Sequence, residues 1–156
     1  MTDAGRPGRM LGLDVGERWI GVAVSEGRIA VPLTIIESEG LVADIGRIAA
    51  MVRAEGAEAV VVGLPVSLSG EEHAQALLIR EFGEELADAI GVPVVYQDER
   101  LTSRQVAGAA GRRMAPKHAS RVHPARRRGK ARVDDLAATV ILQAYIDALH
   151  STEHPG

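Results

Sequence analysis

The chain has 156 residues, enough for one domain with a substantial core, and 46% of them are hydrophobic. No apolar run approaches the roughly 20 residues of a membrane span, and the absence of cysteine excludes disulfides, thiolate zinc sites and thiol nucleophiles. The formal net charge of −3 hides a segregation: the 34 positions from Arg100 to Val133 hold no acid and 11 of the 18 basic residues, leaving a net of −14 on the other 122.

Residues 1–9 read as a disordered lead with no apolar signal segment, so cytoplasmic residence is the expectation. Met10 to Val15 alternates as a strand, with Leu11, Leu13 and Val15 on one face and Gly12 and Asp14 on the other. Gly16-Glu17-Arg18 is a turn. Trp19 to Ser25 is a second strand, in which Ile20, Val22 and Val24 share a face and Gly21 and Ala23 leave the other flat for a close helix. Ile29 to Ile36 completes an antiparallel meander, and Pro32 assigns it to an edge.

The period then changes from two to 3.6. Leu41, Ile45, Ile48 and Val52 mark an amphipathic helix ending near Gly56. Ala59 to Gly63 is a continuous apolar run, as in a parallel strand covered on both sides. Ser69 and Glu72 form a capping box for a helix to Ile90, with Ala74, Leu77, Leu78, Phe82, Leu86 and Ala89 as its core stripe. Val92 to Tyr96 is a fifth strand, and Thr102 to Gly111 a short helix. Residues 112–132 lack periodicity and are expected to be a mobile basic loop. A last helix starts at Asp134, buries Leu136, Ala137, Val140, Ile141, Ala144 and Ala148, and ends before a tail at 150–156. Three antiparallel strands, then two parallel ones with covering helices, predict one ribonuclease-H-like α/β domain over 10–149: a mixed five-stranded sheet flanked by helices.

Asp14 interrupts an apolar strand, where an acid is costly unless it is paired or holds a metal. Asp98 and Glu99 follow the fifth strand, at the end where open α/β sheets bind ligands. Neighbours in sequence point different ways, so one of the two is expected to face a metal. The plainer reading is a helix cap and an ion pair with Arg100. Asp134 and Asp135 open the last helix, where acids also suit the dipole. Three such carboxylates suffice for hard divalent cations, and two ions about 4 Å apart can hold a scissile phosphate. The five histidines show no ligand spacing. The basic block reads as a contact for nucleic acid or another anion, against the plainer reading of a solvated connector.

Four stretches carry a family resemblance. They are Gly12-Leu13-Asp14-Val15-Gly16 with Ile20 to Ser25; Val62-Gly63-Leu64-Pro65 with Gly70; Asp98-Glu99-Arg100-Leu101-Thr102; and Val133-Asp134 with Ala137-Ala138 and Ile141-Leu142-Gln143. Taken in order over about residues 10–146, they resemble the YqgF family, candidate pre-16S rRNA nucleases also described as Holliday-junction-resolvase-like. The resemblance implies hydrolysis of phosphodiester bonds with Mg²⁺ or Mn²⁺, two ions being expected, and Asp14, Glu99 and Asp134 as catalytic metal ligands. Asp14 would bridge the ions, with Glu99 and Asp134 completing one side each. Arg100 and Lys130 adjoin these acids. With Arg104, Arg126, Arg127, Arg128 and Arg132 they form the expected nucleic-acid contacts. Three positions depart from the family: Trp19 stands where a basic residue is frequent, Glu26 replaces the Asp after Ser25, and Ser67 replaces an Asn. They bear on the substrate surface and leave the three acids intact.

The implied substrate is precursor rRNA; a junction resolvase acting on branched DNA would use the same fold and acids. The expected assembly is a monomer or a homodimer, the latter being what symmetric cutting of a junction requires. A non-catalytic RNA-binding assembly factor is a third reading. A two-domain kinase-like ATPase, whose phosphate hairpin Gly12 to Gly16 resembles, needs twice the chain.

Overall fold

The computed structural model describes residues 8–65, 70–99 and 126–153, with 70–73, 126–135 and 152–153 described by backbone alone. The elements are β1 (Met10–Val15), β2 (Trp19–Glu26), β3 (Ile29–Glu37), α1 (Leu41–Glu55), β4 (Ala59–Leu64), α2 (Gly70–Ile90), β5 (Val94–Asp98) and α3 (Arg126–Glu153). They build one five-stranded sheet in the order β3-β2-β1-β4-β5. The β1–β2 and β2–β3 pairs are antiparallel, and β1–β4 and β4–β5 are parallel. The expected mixed sheet is therefore present. Pro32 lies on the edge strand β3, where the register with β2 shifts between Val22 and Ala23. An edge strand and a bulge are the two places where a missing N–H is tolerated.

Strand alternation divides the core into two layers. Leu11, Leu13, Ile20, Val22, Val60, Val62 and Leu64 face α1 and α2, where Ile48, Val52, Phe82 and Leu86 meet them. On the opposite face Met10, Ala23, Ala30 and Val61 meet Ala138, Ile141, Leu142 and Ile146 of α3. The second face of β1 is small because Gly12 has no side chain. A Cβ there would lie 2.6 Å from Leu142 Cβ and 3.1 Å from the Ala138 carbonyl oxygen. This contact fixes how closely α3 approaches the sheet. Gln143 anchors the far end of α3: its side-chain carbonyl accepts the Ala30 N–H at 2.8 Å, and its amide donates to the Arg28 carbonyl at 3.0 Å. Thus α3 runs opposite to β1. No helix among the described residues is long and apolar enough to cross a membrane.

Four expectations are corrected, the first on the last helix, where Leu136 and Ala148 are exposed and Ala138, Ile141, Leu142 and Ile146 face the sheet instead. The buried face of α2 is Ile79, Phe82, Gly83 and Leu86, whereas Ala74 and Ala89 are exposed and Leu77 and Leu78 are 55% and 64% exposed. The helix is rotated so that Gly83 lies against Tyr96 of β5, which leaves those leucines outside. The fifth strand runs two residues later than expected, because Val60 N–H bonds to the Pro93 carbonyl at 2.9 Å and pairing starts beyond the proline. The last helix starts at Arg126 rather than Asp134, taking 126–132 from the expected loop. Arg, Lys and Ala are good helix formers, and Pro124 stands just ahead. The capping box at Ser69, the short helix over 102–111 and the rest of the basic loop lie outside the described residues.

The first turn of α1 is held by an acid inside it. Its cap, Gly40, offers no side chain. Asp44, 4% exposed, accepts instead from the Ser38 hydroxyl, from Glu39 N–H at 2.9 Å and from Arg47 Nη2 at 3.0 Å. Burial pushes the Asp44 carboxyl up, but these hydrogen bonds outweigh it and hold its pKa below the ordinary value. A depressed folded pKa stabilises fully above the unfolded value near 4, and that stability is lost as pH falls through the folded pKa. Asp44→Ala is expected to cost roughly 1–3 kcal/mol at neutral pH by leaving three donors without their acceptor. Its urea midpoint should also fall less than that of the wild type between pH 5 and pH 2, which urea melts across that range would measure.

Candidate active site

The acids of interest lie at the carboxyl end of β1 and β4, on the α3 face of the sheet. Asp14 shares the face of Gly12, and its antiparallel partner is Gly21 of β2. On its other side Leu13 pairs with Val62, so the next step of the parallel register brings Gly63 beside Asp14. Gly63 interrupts a run of buried valines, and the reason is the neighbour above it. Glu99 folds back from the end of β5 so that its Oε2 lies 2.9 Å, and its Cγ 3.2 Å, from where a Gly63 Cβ would stand. The Ile141 Cδ1 of α3 lies 2.5 Å from the same point. Gly63 thus makes the space in which Glu99 comes to lie on the α3 face next to Asp14. Any other residue there would fill it.

The register also separates Asp98 from Glu99. Asp98 pairs with Leu64, in step with Val94 and Tyr96, which pack toward α1 and α2. Asp98 therefore belongs to the opposite face. Asp134 is placed by its backbone. Ala138 lies over Gly12, and Asp134 is one turn earlier, about 6 Å along α3. Asp14 is two residues beyond Gly12, about 7 Å along β1 in the matching direction. Strand and helix thus advance together toward one end, and Asp134 is in register with Asp14. Among the described side chains, no three acids or histidines form a group that could hold a metal ion. The Asp134 side chain is outside that set.

The basic residues divide in two. Arg126, Arg127, Arg128, Lys130 and Arg132 occupy the first two turns of α3, and Arg100 and Arg104 lie outside the described residues. Those turns precede Asp134, so they run about 12 Å past the end of the sheet that carries Asp14. His150 closes on the Ile146 carbonyl of its own helix, with Nδ1 at 2.8 Å. A cavity of about 370 Å³ opens on the other face, between Val15, Ile20, Leu41, Leu78 and Phe82, with Glu17, Asp44 and Glu81 among its lining. Acids without a basic residue make it unsuited to a polyanion. Sequence reasoning offered the stretch of Gly63, Leu64 and Pro65 with Ser67, Ser69 and Gly70 only as a source of backbone N–H groups near a phosphate, and missed Gly63 as the seat of Glu99; a glycine inside a β-branched run is the signal that a neighbour approaches closely.

A mixed sheet with acids at the carboxyl end of its central strands, closed by a helix crossing one face, defines the ribonuclease-H-like class. The fold matches Thermus thermophilus RuvC in complex with a Holliday junction substrate at a TM-score of 0.60 and 16% identity, over 94% of this chain and 98% of that one. A second Thermus thermophilus RuvC structure matches at 0.52 and 19%, over 92% and 97%. The chain belongs to the RuvX family, described as Holliday junction resolvase, which it matches over residues 8–148. It is 40% identical over 144 residues to a candidate pre-16S rRNA nuclease of Roseiflexus sp., covering 91% of this chain and 96% of the relative. It is 45% identical over 141 residues to another from Chloroflexus aggregans, covering 89% and 93%. The YqgF resemblance read from the sequence is thereby borne out.

Proposed function

We propose that the protein is a Mg²⁺- or Mn²⁺-dependent nuclease that hydrolyses phosphodiester bonds of pre-16S rRNA in maturing its 5′ end, in the cytoplasm. Asp14, Glu99 and Asp134 are its metal ligands and catalytic residues. The observation that carries this reading is the seat of Glu99 on Gly63, beside Asp14. The donor chemistry fits: carboxylate oxygens suit hard divalent cations, and no thiolate competes. Cations held there supply charge neutralisation at the scissile phosphate and an acidified water. The chain's own share is to hold the three carboxylates at fixed positions on a rigid sheet and helix, and to meet phosphate charge with Arg100 and Lys130.

Arg104, Arg126, Arg127, Arg128 and Arg132 extend that charge away from the acids, as phosphate contacts that position the strand without reading its sequence. Replacing Arg126, Arg127 and Arg128 together by Ala is expected to weaken binding about equally for unrelated sequences. The slope of log affinity against log salt should fall by up to roughly 0.7 per lost contact on single strands. An unchanged slope in fluorescence-anisotropy titrations at several salt concentrations would make the arginines a solvated helix end.

The description of the family favours a second reading, a resolvase cutting branched DNA in symmetric pairs. The rRNA reading ranks first because the relatives near 40% identity carry that name, whereas the RuvC likeness is one of fold. Cleavage of a precursor 16S rRNA end, a single-stranded RNA and a four-way DNA junction, run side by side with Mg²⁺ and with Mn²⁺, separates them. RNA cleavage with an intact junction supports the first, and paired cuts in the junction transfer the assignment to the second.

A further inference from the structure

We infer that Trp19 is a stacking platform for a base of the bound single strand, next to the scissile phosphate. This rests on the nuclease reading and names a contact within its site. In β2 the side chains of Ile20, Val22 and Val24 enter the α1–α2 core, so Trp19, Gly21 and Ala23 take the other face, and Ala23 packs with α3. Ala23 is paired with Gly12 and Gly21 with Asp14. Trp19 continues that row one step past Asp14, about 7 Å along the strand. Gly21 carries no side chain, so none rises from β2 opposite Asp14. A large aromatic residue is thus half-buried on the acids' face and at their end of the sheet.

Its surroundings suit a nucleotide. The Arg18 guanidinium lies 5.8 Å from the Trp19 ring centroid and only loosely pairs with Glu37, at 3.7 Å with side chains 75% and 55% exposed. So exposed a pair holds Arg18 weakly, and a phosphate competes well for it. The chain therefore offers a π face and a weakly held, exposed guanidinium together, the combination used on single strands without sequence preference. A purely structural tryptophan would be enclosed by the core; this one belongs to neither core layer.

Trp19 is the sole tryptophan, so its fluorescence reports this position alone. The metal-free full chain is titrated with an unlabelled oligouridine while binding is followed independently by anisotropy of a labelled copy. Saturable quenching that tracks binding is expected. With Mg²⁺ present, Trp19→Ala should raise KM roughly tenfold with a much smaller change in kcat, and Trp19→Phe should recover most of the loss. Binding without any change in fluorescence overturns the inference, as does a folded Trp19→Ala with wild-type KM or absence of binding by either readout. Should Trp19→Ala fail to fold, quenching of the wild type and KM of Trp19→Phe still decide. Quenching by an oligonucleotide that is never cleaved leaves the stacking contact standing and removes the nuclease reading. Cleavage with unquenched tryptophan does the reverse.

Discussion

Asp14→Asn is expected to abolish cleavage and to leave the metal-free protein at least as stable as the wild type. Both halves follow from the position of the residue. Asp14 lies beside the glycine over which Glu99 folds, so in the metal-free protein two carboxylates share one end of the sheet. Their repulsion disfavours the folded form, and a neutral amide of the same shape relieves it. The same amide is a poor ligand for Mg²⁺, so turnover should drop by at least roughly 10³-fold, a loss of about 4 kcal/mol of transition-state stabilisation. Thermal melting without metal, beside single-turnover cleavage with it, reads both quantities. Cleavage within tenfold of wild type would remove Asp14 from the catalytic set, and a large drop in Tm would make it a structural residue of β1.

Gly63→Ala should separate catalysis from folding differently. The new methyl group would meet Ile141 Cδ1 at 2.5 Å and Glu99 Oε2 at 2.9 Å, and both atoms are ends of flexible side chains. The backbone has no need to move, so the expected loss of stability is modest, about 1–3 kcal/mol from overpacking. Glu99 is nevertheless driven off its seat, and if it is the proposed metal ligand a displacement on the order of 1 Å should lower kcat about 100-fold. Adding Ile141→Val removes the Cδ1 contact. The double variant should therefore regain most of the lost Tm while kcat stays low. Joint recovery of stability and kcat would mean that Glu99 tolerates the methyl group and that its seat is not a catalytic position.

How legible this was in the chain follows from what each signal measures. Period-two alternation around Gly12 and Asp14 placed both residues on one strand face, because burial on the other face is written directly into Leu11 and Leu13. Pro32 announced an edge, because it cannot complete a ladder. Hydrophobic period failed at α3, because it reports a packed face and not helicity. The turns from Arg126 to Arg132 run beyond the end of the sheet and carry no large apolar residue, and so look aperiodic although they are helical. The α2 stripe failed for a related reason. Leu77 and Leu78 satisfy the period as well as Ile79 does, and the choice between them is made by Gly83 against Tyr96, a contact from another element. The Asp98–Glu99 ambiguity could not be resolved before the register was known, since the parity of β5 against β4 decides which face each takes.

The order of the elements also matters while the protein is being made. The strand bearing Asp14 leaves the ribosome before α3, so the sheet can pair while its second face is still bare. On the proposed site, the third acid arrives only when Ala138 and Leu142 settle over Gly12 and Gln143 clasps the β2–β3 turn. On that proposed site, a chain in which α3 has not yet docked holds only two of the three carboxylates and is expected to be inert toward RNA. Docking of α3 would then act as a safety catch on the proposed site.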